Sequence, residues 1–179
     1  GVEKKYSEAF KYFISSHQLG YFNSCYKLAL CYYEGFGVQK DLGLGLMYLK
    51  EGTEIRNSES MVYLANCYVL GRGVEKNFAQ AIKYYEMAGN CGNADGWLLL
   101  GELYERTDTF IQNYAKAAEC YEEAIKLGHP AAMNNLGIMY LEGKGLKQDG
   151  DKGMTYLKNC FKKYKNSSCA YNIGYYYYN

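Results

Sequence analysis

The 179-residue chain has one proline, one tryptophan and two histidines, so little in it breaks a helix and few imidazoles are on offer. No apolar run approaches the roughly 20 residues that cross a bilayer, which excludes membrane insertion by such a helix. Charge of either sign is not in excess: 20 Lys and Arg stand against 19 Asp and Glu. Binding to a phosphate backbone draws on a basic surplus or stripe, so nucleic acid is not an expected partner. Seven cysteines are present but no Cys-x-x-Cys pair, so the ligand spacing of a structural zinc site is missing. No His/Cys or Ser/His/Asp set is in view for nucleophilic catalysis. The chain is therefore expected to be no enzyme and to hold no cofactor or metal.

What is abundant is hydrophobic surface, at 49% of residues, and tyrosine, at 22. Tyrosine, lysine and asparagine share AT-rich codons, and the bias is read as one of codons rather than of chemistry. The organising feature is a repeat. Leu28, Leu64, Leu100 and Leu136 are 36 residues apart, and Ile173 follows 37 later. A fixed period of this length marks an array of small helical or strand units. Here each unit reads as two helices, because apolar residues recur at helical spacing on both sides of a Gly-x-Gly turn. The turns are Gly35-Phe-Gly-Val38, Gly71-Arg-Gly-Val74 and Gly143-Lys-Gly-Leu146. A glycine just past a helix can take the left-handed conformation at little steric cost. A dinucleotide fingerprint would need a preceding strand and a third glycine, and has neither here.

Other phases place the second helix. Asp41, Asn77, Asn113 and Asp149 are N-cap residues in register. Small residues follow at Gly45, Ala81, Ala117 and Gly153, where two helices must approach closely. Pro130 opens a first helix, where its missing amide does no harm. Cys31 and Cys67 share one phase facing the helix pack, and Cys120 takes a phase otherwise held by tyrosine; all three read as core. Ten helices are expected: residues 1–20 a lone second helix, 21–56, 57–92, 93–128 and 129–165 full units, and 166–179 a lone first helix. Neither end looks like a polar cap, so the whole is expected to be a segment of a longer protein. The third unit carries Thr107-Asp-Thr-Phe110 in place of Gly-x-Gly-Val, and a different or looser turn is expected there.

Leu64 through Val74, and Leu136-Gly-Ile-Met-Tyr-Leu-Glu-Gly-Lys-Gly-Leu146, resemble the Sel-one-like repeat family, a relative of the tetratricopeptide repeat. The resemblance implies an all-α fold: an α-solenoid, a right-handed superhelix of antiparallel helix pairs with 36-residue repeats. It also implies a scaffold or adaptor that binds protein or an extended peptide, or flanking parts of its own polypeptide. Two alternatives stay open. One is a regulatory or targeting region of a larger enzyme such as a protein kinase. The other is a secreted, disulfide-braced repeat protein. Some secreted members pair a cysteine late in one unit with one in the next, and Cys160 and Cys169 sit near such places. The regular ladder of such pairs is missing, and the expected compartment is cytoplasmic, with the endoplasmic reticulum lumen or secretion as the alternative.

In stacked helix pairs the first helices line the concave face. By analogy with tetratricopeptide repeats, a partner would meet offsets of five and two before the anchor and two, five and six after it. These share one helix face. They give Asn23, Tyr26, Leu30, Tyr33 and Glu34 in the first full unit, and Val62, Asn66 and Val69 in the second. The third contributes Asp95, Glu102 and Glu105, which would favour a basic segment; the fourth contributes Asn134, Ile138 and Leu141, and the last helix Tyr171 and Tyr175.

Overall fold

The computed structural model describes residues 5–106 and 110–178, which hold ten α-helices and no strand. They fall into two compact units, Gly1–Cys91 and Gly92–Asn179. The first contains α1 (Tyr6–Gln18), a single 3-10 turn at Phe22–Ser24, α2 (Cys25–Glu34), α3 (Leu42–Glu54), α4 (Ser58–Leu70) and α5 (Phe78–Asn90). The second contains α6 (Ala94–Glu105), α7 (Tyr114–Lys126), α8 (Pro130–Glu142), α9 (Gly150–Tyr164) and α10 (Ser167–Tyr178). The helix pairs are α2 with α3, α4 with α5, α6 with α7 and α8 with α9.

The caps fall where the repeat places them. The side chains of Asp41, Asn77, Asn113 and Asp149 accept from the amides of Leu44, Gln80, Lys116 and Lys152, satisfying one orphan donor at the start of each second helix. Gly35, Gly71 and Gly143 close α2, α4 and α8 in the left-handed region. The second glycine of each turn does something the pattern alone did not reveal. A Cβ on Gly37 would lie 2.2 Å from the Tyr6 carbonyl oxygen, and one on Gly145 2.3 Å from the Cβ of Tyr114. This glycine lets the turn press against the start of the preceding second helix.

Residues Thr107–Thr109 of the irregular joint lie outside the described residues, as do Gly1 and Val2. Arg106, at the end of α6, is extended rather than left-handed. The closing bond nevertheless survives. Asn113 N–H donates to Tyr104 O at 2.8 Å, as Asp41 does to Tyr32, Asn77 to Tyr68 and Asp149 to Tyr140. The joint loses its glycines and keeps its span.

The core is the anchor leucines with the small residues facing them: Leu28, Leu64, Leu100 and Leu136 are buried, as are Ala81 and Ala117. One pairing recurs in both units. Tyr32 stacks on Tyr48, Tyr68 on Tyr84 and Tyr140 on Tyr156, with centroids 5.7, 5.9 and 5.8 Å apart and nearly parallel rings. In the third repeat Cys120 replaces one partner, and the Lys116 ammonium lies 5.4 Å from the Tyr104 ring. Cys31, Cys67 and Cys120 are buried and outside any disulfide, as core residues should be. Cys160 and Cys169 are bonded to each other, tying the end of α9 to α10.

Candidate partner-binding site

In the first compact unit the expected surface lies on α2 and α4. Asn23 is exposed in the 3-10 turn, and Tyr26, Leu30, Val62, Asn66 and Val69 are half-buried. Tyr26 meets Tyr63 with ring centroids 6.1 Å apart. The Tyr85 hydroxyl donates to Oδ1 of Asn66, which holds the amide and leaves its NH2 as the group to offer.

Tyr33 does not belong to this surface. It is 1% exposed, its hydroxyl donates to the Arg72 carbonyl at 3.3 Å, and its ring lies over Gly45. An offset of five past the anchor points between the paired helices here, and glycine at 45 leaves room for a ring. Burial pushes its hydroxyl well above the ordinary tyrosine range.

Two residues that the offsets missed complete the unit's polar edge. Arg72 Nη2 donates to Glu34 Oε1 at 2.9 Å, and the Tyr63 hydroxyl donates to the same oxygen at 3.1 Å. The Arg72 hydrogen bond holds the Glu34 carboxyl below its usual range. Burial pushes the Tyr63 hydroxyl up to about 12. Arg72 occupies the variable place inside Gly71-Arg-Gly-Val74, so no repeat phase flags it; its rarity, as one of three arginines, was the only signal.

In the second unit the acidic set is partly engaged. Glu105 accepts from the Tyr121 hydroxyl, and Asp95 Oδ1 receives His129 Nε2 at 3.0 Å. Glu102 keeps an exposed edge but is crowded by neighbouring side chains, and that loss of water, followed by the charge of Glu105, raises its carboxyl. Asn134 is a second correction. It is 8% exposed, accepting from Asn172 Nδ2 at 2.8 Å and donating to Asn135. A polar side chain two before the anchor serves α8–α10 packing, because the facing helix also supplies an amide. Ile138 stays half-exposed and lines a cavity of about 540 Å³ with Leu141, Glu142, Tyr171, Tyr175 and Tyr176.

One grouping of His and Cys was not in view from the sequence. His17, Cys25 and Glu51 offer ligand atoms that all lie within 4.8 Å of one another. His17 Nε2 and Glu51 Oε2 are 2.9 Å apart. Burial, and then the nearby Glu51 charge, push the Cys25 thiol up to about 12. These residues share no repeat phase and come from three helices, so sequence spacing could not group them.

A family model described as the Sel1 repeat matches residues 1–21, 23–54, 58–93, 98–129, 130–158 and 167–179. Among solved structures, the chain is similar to a Sel1 repeat protein from Oxalobacter formigenes. The TM-score is 0.87 at 23% identity, covering 100% of this chain and 73% of that one. It is also similar to c5321, a protective antigen of uropathogenic Escherichia coli displaying an SLR fold. There the TM-score is 0.84 at 23% identity, covering 96% of this chain and 36% of that one. A third similarity, to Helicobacter pylori cysteine rich protein B, has a TM-score of 0.56 at 20% identity and covers 73% and 94%. At these identities the likeness concerns the fold alone. Among proteins of curated function, none matches the sequence significantly.

Proposed function

The chain belongs to the Sel1 repeat family, and we propose that it acts without chemistry of its own, as a scaffold that holds an extended segment of another protein against α2 and α4. The observation that carries this reading is Asn66. Its oxygen is held by Tyr85, and its NH2 stands in a row with Val62 and Val69 on one face of α4. A fixed amide flanked by half-exposed aliphatic side chains suits a peptide backbone, which offers a carbonyl every residue. Tyr26 adds rigid aromatic area with a hydroxyl. The Glu34–Arg72 pair at the edge favours a segment carrying its own charges, since each partner keeps part of its charge exposed.

The Cys160–Cys169 bond supports an oxidising compartment, the endoplasmic reticulum lumen or the cell exterior, over the cytoplasm. Among the described residues no helix is long and apolar enough to cross a membrane.

A displayed library of unstructured peptides, selected on the intact chain, tests the surface. Selected peptides should lose about tenfold or more in affinity against Tyr26→Ala/Asn66→Ala, with the unfolding midpoint nearly unchanged. Selected peptides that bind this variant as well as the parent would remove α2 and α4 as the docking face.

A further inference from the structure

We propose that His17, Cys25 and Glu51 form a binding site for a single soft divalent transition-metal ion, zinc(II) by the chemistry of the donors, with water as the fourth ligand. The three come from the last turn of α1, the first residue of α2 and the third turn of α3. Their ligand atoms lie within 4.8 Å of one another. Zinc bonds of about 2.0–2.3 Å in a tetrahedron put neighbouring donors roughly 3.3–3.8 Å apart, so the ion seats with side-chain adjustments on the order of an ångström.

The donor types agree with that ion. One imidazole nitrogen, one thiolate and one carboxylate form the mixed N, S and O set that a borderline-soft ion accepts, unlike the all-oxygen sets that suit magnesium or calcium. Three protein ligands with one position left open is the arrangement of exchangeable or reactive zinc. The charges close as well: a thiolate and a carboxylate offset the two positive charges, which a site of low polarity requires.

The surroundings hold the ligands. The His17 ring stands edge-on to Phe22 and to Tyr48, with centroids 5.3 and 5.2 Å away, so its direction is set by packing. Cys25 is fully buried, while the His17 and Glu51 side chains are 19% and 31% exposed, which leaves a way in from solvent on their side.

Repeat packing does not itself call for these groups. One repeat later, the phases of Cys25 and Glu51 are held by Met61 and Met87, apolar side chains that fill the same place between helices. Without metal the cluster is held by the His17–Glu51 hydrogen bond. On binding, the Cys25 proton leaves to solvent, the His17 proton moves from Nε2 to Nδ1, and the ion takes the sulfur, Nε2 and a carboxylate oxygen.

The test uses the intact chain, stripped with a chelator and titrated with cobalt(II) and then zinc(II). One cobalt per chain should give the intense visible bands of a tetrahedral site and a thiolate-to-metal charge-transfer band, both removed by one equivalent of zinc. His17→Gln, Glu51→Gln and Cys25→Ser should each weaken binding roughly a hundredfold. Cys91→Ser, which alters an exposed thiol elsewhere, should change nothing. Circular dichroism establishes that each variant is folded; should Cys25→Ser fail to fold, His17→Gln decides. Absence of stoichiometric binding by the parent chain, or binding undiminished in folded His17→Gln, overturns the site and leaves a hydrogen-bonded cluster.

Discussion

Replacing Gly45 with alanine should destabilise the first unit, but the same replacement in a chain that already carries Tyr33→Val should cost nothing. A Cβ at position 45 would lie 2.6 and 2.7 Å from Cδ2 and Cε2 of Tyr33, whose ring is fully enclosed. Overpacking of this kind costs about 1–3 kcal/mol. Alanine recovers about 0.5–1 kcal/mol of helix propensity, leaving a net loss of about 1–2 kcal/mol. Tyr33→Val alone opens a cavity and forfeits the hydrogen bond to the Arg72 carbonyl, at a cost of about 3 kcal/mol. In the double variant the clash is gone and the propensity gain remains, so the total should be about 2 kcal/mol rather than the sum of about 4–5.

The chain already contains the swapped pair. One repeat later the same two phases are Val69 and Ala81, and in the fourth repeat the bulkier Leu141 again faces a glycine, Gly153. The assay is urea unfolding of the four proteins followed by far-UV circular dichroism, because the single Trp97 lies in the other unit. Additive free energies would show that Tyr33 and position 45 are not in contact, and would refute both the register and the account of why Tyr33 leaves the surface.

Opening the Cys160–Cys169 bond with a Cys160→Ala/Cys169→Ala pair should cost about 2–3 kcal/mol for a loop this short, read as a lower unfolding midpoint under non-reducing conditions, while thiol counting on the parent, unfolded in denaturant without reductant, should find five sulfhydryls; seven would contradict the bond. Arg72→Leu should cost about 0.5–1 kcal/mol at neutral pH, a modest figure because the Glu34–Arg72 pair is partly exposed. The folded carboxyl of Glu34 is lowered, so its contribution is present above the ordinary carboxylate range and lost as pH falls through the folded value. The difference between variant and parent should therefore shrink as pH falls below the ordinary carboxylate range; a penalty undiminished in acid would assign Arg72's role to its place over the Tyr33 ring, 5.4 Å away.

The candidate partner-binding residues were legible only in part. Helical spacing put Tyr26, Val62, Asn66 and Val69 on helix faces that the fold leaves half-buried, since a face is a local property of one helix. It failed at Tyr33 and Asn134, where the side chain's fate depends on what stands opposite. Gly45 made room for a ring, and Asn172 supplied a hydrogen-bond partner. The analogy with shorter repeats assumed one geometry for all units, and these two positions show the pairs differ.

The sequence by itself determined the period, the ten helices, the residues that cap them and the glycines that end them. Those features rest on backbone sterics and on hydrogen bonds spanning a few residues, so they survive without knowledge of the fold. Tertiary structure decided which side chains face solvent, that the second glycine of each turn admits the preceding helix, and that Cys160 joins Cys169. It alone brought His17, Cys25 and Glu51 together from three helices. Such meetings depend on how whole helices pack, and packing is set by the volumes of side chains far apart in the chain.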